Sequence, residues 1–429
     1  MQKSNINKID IVILILSFLH VCIFNFLNIA NFSVKIICLL IVINVFLKNR
    51  ISSNRISSTI KKRIIIMGIA FIVFILSALF GKDTHWKIAI SNYLCILYSV
   101  IPLIYFSDLA IHNKNTLTKI FRNSFYIING YAILNMIISI IQVIFPGFMA
   151  GMSTWQNSFS DDLICGLFGY SCTPQFGLYF IFVFFYNLYY LMSVNNDKRI
   201  KFYNYFILFF LLVISMFNDN KAVYIELVLF LMLYLAFNKR YDIKDKTQWT
   251  LKGIYGKLAA AFFCVLVSYI VLPPVRDLFE QNLIYAFRLF FQAAKSDSVM
   301  YYGSAERVYA VIHAFTKYHA FGFGYGVGTC YWQAGNAFGF SHFGLADMGS
   351  FLCLSGVWFT VLILYVYTSC FWDLTHSKNI VTKLLTTAVI LILFFYSQII
   401  TSNTLCFNLI YIMLVLGLVH NYTIIENKK

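Results

Sequence analysis

Apolar runs long enough to cross a lipid bilayer recur along the whole chain, and they constrain its fold more than any other feature. A transmembrane helix needs about 20 predominantly apolar residues. Of the 429 residues, 60% are hydrophobic and only 12% are charged, which is unlike the composition of a typical soluble protein. Because a helix satisfies its own backbone hydrogen bonds in lipid, we expect an all-α polytopic integral membrane protein.

Twelve of these runs, bounded by charges and turn-forming residues, are predicted to span the membrane. They cover residues 9–29, 33–47, 64–80, 88–106, 124–146, 174–194, 202–217, 222–237, 257–273, 346–371, 384–400 and 404–420. No small-residue cleavage site follows the first run, so we interpret it as a span and not as a signal peptide. We therefore expect a single integral domain, with nine spans in residues 1–273, a loop region in residues 274–345 and three spans in residues 346–429.

The net charge of +16 is explained by where the basic residues fall. With a cytoplasmic N-terminus, 24 of the 33 lysines and arginines lie in inner segments or, for Lys257, at the inner end of a span, and 9 lie elsewhere. Basic residues concentrate in cytoplasmic loops of membrane proteins, so both termini are predicted to be cytoplasmic. The basic loops at residues 48–63 and 238–246 lack the aromatic interleaving of a nucleic-acid surface, and we interpret their charge as a determinant of topology that could also bind lipid.

The ten cysteines form no CxxC pair and no Cys/His cluster with metal-ligand spacing. We therefore predict no metal site and no cofactor. Cys165 and Cys172 share a predicted outer loop, where they could form a disulfide or remain free thiols, and we favour free thiols.

The long outer segment contains a helix-like stretch from Ser304 to His319. Ser304 is the predicted N-cap, and Gly322 is the predicted stop beyond the last turn. Apolar residues share one face, whereas Glu306, His313 and Lys317 lie near another. We expect an amphipathic helix that either lies on the outer membrane surface or caps a cavity.

A glycine occupies every second position in "GFGYGVG", at Gly322, Gly324, Gly326 and Gly328. The stretch matches neither the dinucleotide-binding nor the Walker phosphate loop. A backbone without Cβ atoms can present N–H groups to an anion, or it can pack tightly against a helix. Spacing alone favours packing, but Arg307, one helix length earlier, makes an anion-binding role more plausible.

The stretch from Ser304 to Gly328, followed by Ser341 to Phe359, resembles the signature of O-antigen and capsular polysaccharide polymerases and of their relatives, the O-antigen ligases. In that signature an Arg opens a helix, a glycine-rich turn follows, and a His stands just before a span. Weaker similarities lie at Gly166–Phe180 and Asn218–Leu227.

The resemblance implies that Arg307 is the family's loop arginine, His342 its pre-span histidine and Lys221 its second cationic residue. Lys221 replaces the usual Arg, so it keeps the charge but loses the planar fork that binds phosphate bidentately. Phe343 follows the histidine where Asn is usual. The implied fold is similar to the metal-independent, C-type integral-membrane glycosyltransferases.

The implied reaction transfers a growing glycan from polyprenyl diphosphate to a second lipid-linked repeat unit, at the outer face of the bacterial cytoplasmic membrane. A flippase and a chain-length regulator are candidate protein partners. Negative charge develops on the departing diphosphate, and cations and backbone N–H groups can stabilise it. We expect the diphosphate to be bound by Arg307, Lys221 and the glycines Gly322, Gly324, Gly326 and Gly328.

Three residues are candidates for accepting the proton of the attacking hydroxyl: His342, Asp347 and Glu306. We place His342 first, with Asp347 as its orienting partner or as an alternative base. Tyr325 and Trp332 are candidates for stacking on sugars.

The sequence leaves open the role of one further carboxylate, Glu226, and the partner of Arg307. Glu226 lies inside the eighth predicted span, so it must face the bundle interior, in either a structural or a functional role. Arg307 could instead pair with Glu306 or Asp297, which lie near it in the sequence.

Two other functions remain open. The protein could be a ligase that transfers finished polymer to another acceptor, or a flippase or other transporter of lipid-linked oligosaccharide. A transporter should cluster its ionisable groups at mid-membrane, whereas Arg307 and the glycines lie in an outer loop. Polymerase and ligase share a donor and a leaving group, and of the two we expect a polymerase.

Overall fold

The computed structural model describes residues 7–24, 26–27, 29–51, 58–82, 86–145, 148–149, 163–169, 172–193, 198–218, 220, 222–240, 267, 269–280, 284–285, 288, 306–326, 346–374 and 380–397. Over these residues the chain consists of helices joined by turns, and it contains no strand. Among the described residues, five helices are long and apolar enough to cross a membrane: Thr59–Phe80, Ala89–His112, Phe125–Ile144, Lys198–Phe217 and Asp347–Asp373. The predicted all-α fold is confirmed for this part of the chain, and the five apolar helices agree with a membrane protein.

The helices follow one another along the chain with mostly short connections. They are α1 (Lys8–Leu19), α2 (Ala30–Ile51), α3 (Ser58–Phe80), α4 (Trp86–His112), α5 (Lys114–Asn123), α6 (Phe125–Ile144), α7 (Thr173–Ser193), α8 (Lys198–Phe217), α9 (Ala222–Arg240), α10 (Pro273–Phe279), α11 (Glu306–Thr316), α12 (Asp347–Leu374) and α13 (Ile380–Tyr396). A π-helical turn, His20–Phe24, extends α1, and a 3-10 turn, Gly166–Phe168, precedes α7.

Helices occupy the positions of ten predicted spans, but several boundaries differ. The first helical segment ends at Phe24, earlier than predicted, and α13 ends at Tyr396 instead of continuing to residue 400. The predicted span 257–273 lies mostly outside the described residues, and the span 404–420 lies wholly outside them. Helix α5 falls in a segment predicted only as a connection, where it buries Leu117 and exposes Arg122.

At one end of the bundle, a buried carboxylate joins α1, α2 and α4. Asp10 accepts hydrogen bonds from Lys48 Nζ at 2.8 and 2.9 Å, from Asn44 Nδ2 at 2.7 Å and from the Tyr105 hydroxyl. A buried charge is tolerated only when it is paired and hydrogen-bonded, as it is here. We call this the Lys48 end of the bundle.

Arg63 fixes α12 at the same end. Its side chain is 2% exposed, and its guanidinium donates to the Ser369 carbonyl at 2.9 Å and to the Asp373 carboxylate at 2.5 Å. A longer bond, 3.4 Å, reaches Ser107 Oγ on α4. Because α12 is held here through its C-terminal turns, its first residue, Asp347, lies at the opposite end of the bundle.

Helix α12 is broken at Gly356, which has φ 75° and ψ −178°. Left-handed backbone of this kind favours glycine. The break frees backbone groups that the segment 320–326 satisfies: Val357 N–H donates to the Ala320 carbonyl at 2.7 Å, and Tyr325 N–H donates to the Cys353 carbonyl at 2.6 Å. Irregular backbone at membrane depth is stable when other protein groups complete its hydrogen bonds in this way.

Cys165 and Cys172 are free thiols, the state favoured from the sequence, and both are buried. Burial raises the pKa of the Cys172 thiol to about 12, so little reactive thiolate exists near neutral pH. We expect a variant that retains only these two cysteines to resist a membrane-impermeant maleimide in intact membranes. In SDS without reductant, the maleimide should label both. Labelling in SDS that required reductant would show a disulfide and contradict the structure.

Candidate functional site

Arg307 lies in the first turn of α11, at the end of the bundle opposite Lys48, which we call the Arg307 end. Its guanidinium carbon is 4.8 Å from the centroid of the ring of Tyr396, and Tyr396 is the last residue of α13. This distance allows a cation–π interaction, which orients the guanidinium plane. Arg307 also interacts electrostatically with the carboxylate of Glu226 on α9. The arginine is therefore positioned by the ends of two other helices.

Glu226 lies in the second turn of α9 and is 2% exposed. Its Oε1 accepts a long hydrogen bond, 3.4 Å, from Ser397 Oγ, just beyond α13. Its Oε2 is buried and has no hydrogen-bond partner among the residues that the structure describes. A buried carboxylate oxygen without a donor is costly, so it is a candidate for contacting a ligand.

Asp347, a predicted site residue, begins α12 and is fully buried. Its backbone N–H donates to the Ser397 carbonyl at 3.1 Å. Ser397 therefore connects Asp347 to Glu226, with its carbonyl facing one residue and its hydroxyl facing the other. The N-termini of α9 and α12 and the C-terminus of α13 converge at this point, beside Arg307.

The turn before α9 is held by asparagine side chains. Asn220 Nδ2 donates to the Thr173 carbonyl at 2.9 Å, and Asn220 N–H donates to Asn218 Oδ1 at 3.1 Å. The approach to α7 depends on Gly177, where an added Cβ would lie 2.3 Å from Asn220 Nδ2. Lys221, the predicted second cation, follows Asn220 directly in the chain but lies outside the described residues.

The glycines that are described lie in a tightly packed backbone junction. An added Cβ at Gly324, which has φ 76°, would lie 2.7 Å from the Cys353 carbonyl oxygen beside the α12 break. A Cβ at Gly81, just after α3, would lie 2.5 Å from Gly326 Cα. The segment therefore packs between the end of α3 and the break of α12.

The backbone donors of two glycines are already engaged. Gly322 N–H donates to the His319 carbonyl at 2.9 Å, and Gly324 N–H donates to the same carbonyl at 3.3 Å. An N–H that donates within the chain has little capacity left for an anion. Of the two roles that the sequence left open for these glycines, the contacts favour packing.

Helix α11 ends earlier than the sequence predicts, and one residue predicted to lie near its polar face is buried. It ends at Thr316, well before the predicted stop at Gly322, and the left-handed residue after it is His319, with φ 54°. The N–H groups of Lys317 and Tyr318 both donate to the His313 carbonyl, which closes the helix. His313, predicted near the polar face, is 5% exposed, because α11 packs along α12.

Close packing of α11 on α12 is possible because the contact residues are small. A Cβ added at Gly349 would lie 2.7 Å from Ala310 Cβ, and Cys353 Sγ lies 3.6 Å from the Ala310 carbonyl oxygen. The helix thus covers the N-terminal half of α12, and Arg307 is held against the bundle.

The remaining predicted site residues are only partly described. Tyr325, a candidate for stacking on sugars, has its ring edge-on to Tyr318, with centroids 5.6 Å apart. Glu306 begins α11. The others, His342, Lys221, Gly328 and Trp332, lie outside the described residues.

Sequence reasoning recognised Glu226 as a costly buried carboxylate but missed the residues around it. Tyr396 and Ser397 fell within a predicted span, because the two polar residues in "ILILFFYSQII", Ser397 and Gln398, do not by themselves mark a helix end. Their role depends on the backbone bond from Asp347.

Comparison of the chain with models of known protein families and with curated proteins finds no match.

Proposed function

We propose that the protein is a membrane glycosyltransferase that polymerises polyprenyl-diphosphate-linked oligosaccharide repeat units into a surface polysaccharide. The observation that carries the proposal is the position of Arg307, beside the Tyr396 ring and near the buried Glu226 carboxylate, where three helix ends converge. A cation at such a junction suits a phosphate-bearing leaving group. The resemblance of the surrounding sequence to the polysaccharide polymerases supports the same assignment.

In this proposal the chain crosses the bacterial cytoplasmic membrane twelve times in a C-type glycosyltransferase fold, with both termini cytoplasmic and the Arg307 end facing outward. The excess of Lys and Arg in the predicted inner segments supports the orientation. The Asp10–Lys48 pair and the separate contacts of Arg63 then lie on the cytoplasmic side. Residues 274–345 form the extracytoplasmic loop region that contributes Arg307.

Arg307 stabilises the departing diphosphate. When the anomeric carbon is attacked, the bond to the diphosphate oxygen breaks, and negative charge develops on the phosphates. The Arg307 guanidinium donates charge-assisted hydrogen bonds to that charge, each contributing about 1.5 to 3 kcal/mol. Lys221, next to the ordered Asn220 turn, supplies a second cation. The N–H groups of Gly322 and Gly324 already donate within the chain. These two residues support the fold around the site and do not bind the diphosphate.

The proposal is tested by the glycans of a strain that lacks the gene. We expect the deletion strain to display single repeat units, and the wild-type gene to restore a ladder of polymer. Full-length polymer that accumulates without attachment would identify a ligase instead. Lipid-linked units that accumulate on the cytoplasmic side would identify a transporter, and both results would overturn the polymerase assignment.

A further inference from the structure

Glu226 has the geometry of a group that exchanges a proton with a ligand. One carboxylate oxygen is oriented by Ser397 Oγ at 3.4 Å, while Oε2 lacks a hydrogen-bond partner among the described residues. A structural carboxylate in a membrane protein normally has donors on both oxygens, as Asp10 does at the Lys48 end. Glu226 therefore has one oxygen that is held in place and one buried oxygen that has no donor among the described residues.

The position of Glu226 relative to Arg307 favours a role in the reaction. Tyr396, whose ring lies 4.8 Å from the Arg307 guanidinium carbon, directly precedes Ser397, whose hydroxyl donates to Glu226, so the acidic group lies near the cation proposed to hold the leaving group. In a displacement, the attacking hydroxyl and the leaving diphosphate both bond to one carbon, so a proton acceptor and a phosphate-binding cation must occupy one site.

We propose that Glu226 Oε2 is the general base that accepts the proton of the acceptor sugar hydroxyl. This inference rests on the proposed transferase function and adds a residue to its mechanism. Ser397 is then a positioning residue, because its hydroxyl fixes Oε1 and leaves Oε2 without a donor among the described residues.

The step balances without a further reactant. The acceptor hydroxyl oxygen forms a bond to the anomeric carbon, and its proton moves to Glu226 Oε2. The bond between that carbon and the diphosphate oxygen breaks, and its electron pair leaves with the polyprenyl diphosphate, whose charge Arg307 stabilises. The proton on Glu226 is released to water before the next cycle, which restores the carboxylate.

The test compares Glu226→Gln and Glu226→Asp in the full-length protein reconstituted in lipid nanodiscs. The substrate is the lipid-linked repeat unit extracted from the deletion strain, and binding is measured separately with undecaprenyl diphosphate. We expect Glu226→Gln to lower turnover about a hundredfold, near the lower limit for loss of a general base. Its undecaprenyl diphosphate affinity should stay within about twofold of wild type, because diphosphate binding depends on Arg307. Glu226→Asp keeps a carboxylate and should recover part of the rate.

Asp108→Asn is the matched control, because it also replaces a carboxylate by an amide but lies on α4 near the Lys48 end, 3.3 Å from His112. It should retain wild-type turnover. Melting temperatures of all variants establish that each is folded. Wild-type turnover in Glu226→Gln would overturn the proposal, and so would equal losses in Glu226→Gln and Glu226→Asp. If wild-type protein itself neither binds undecaprenyl diphosphate nor extends the repeat unit, the proposed function fails instead.

Discussion

Replacing Arg307 by Ala is expected to lower the rate of glycan transfer by about 10²- to 10³-fold, the usual cost of removing one preorganised donor to developing negative charge. The loss should appear in turnover and in affinity for undecaprenyl diphosphate, because the same guanidinium contacts phosphate before and during the reaction. Arg307→Lys keeps the charge but loses the planar fork and its stacking on Tyr396. An intermediate loss of about 10- to 100-fold is expected, which corresponds to one charge-assisted hydrogen bond.

The measurement uses the nanodisc assay with extracted lipid-linked repeat units, at matched amounts of folded protein. Arg122→Ala is the control, because Arg122 is an exposed arginine on α5, far from the Arg307 site in the fold. It should transfer glycan at the wild-type rate. Wild-type transfer by Arg307→Ala would remove Arg307 from the reaction, and an equal loss in Arg122→Ala would point to a general requirement for positive charge.

The helical bundle could be predicted from sequence because lipid leaves an apolar chain few alternatives. Runs of apolar residues must satisfy their backbone bonds internally, so helices at the positions of α3, α4, α6, α8 and α12 follow from composition alone. The ends of the helices were less predictable. Tyr396 and Ser397 lie inside a predicted span whose two adjacent polar residues, Ser397 and Gln398, do not mark a helix end, and the bond between Asp347 N–H and the Ser397 carbonyl is a tertiary contact.

The break in α12 shows why the site could be only partly predicted. Gly356 lies in an apolar helix, where a glycine is common and need not interrupt the helix. It becomes a break because the segment 320–326, about 30 residues earlier, supplies replacement hydrogen bonds at Ala320 and Tyr325. From the alternating glycines and the nearby Arg307, the sequence predicted that both bind one diphosphate. It could not show that the partner of this backbone was α12.

The pair Gly324→Ala and Gly322→Ala separates packing from anion binding. At Gly324, φ is 76°, and an added Cβ would lie 2.8 Å or less from the Cys353 carbonyl oxygen and from backbone atoms of Leu354 and Ser355. Backbone atoms cannot rotate away as a side chain can, so we expect Gly324→Ala to lower the free energy of unfolding by about 2 to 5 kcal/mol, combining strain and overpacking. At Gly322 the nearest atom to an added Cβ, the His319 carbonyl oxygen, is at an ordinary 3.5 Å. Gly322→Ala should therefore change the free energy of unfolding by no more than about 0.5 kcal/mol.

Thermal unfolding in nanodiscs, with and without undecaprenyl diphosphate, distinguishes the two roles. If the segment 320–326 serves to complete the broken helix, Gly324→Ala unfolds at a much lower temperature, while Gly322→Ala unfolds like wild type and binds the diphosphate normally. If the glycines instead present N–H groups to phosphate, both variants keep the wild-type melting temperature without ligand, and both lose the stabilisation that the ligand provides. The engaged N–H groups of Gly322 and Gly324 lead us to expect the first result. Of the alternating glycines, Gly324 would then be needed because its backbone and the backbone at the Gly356 break lie closer to their neighbours than a side chain permits.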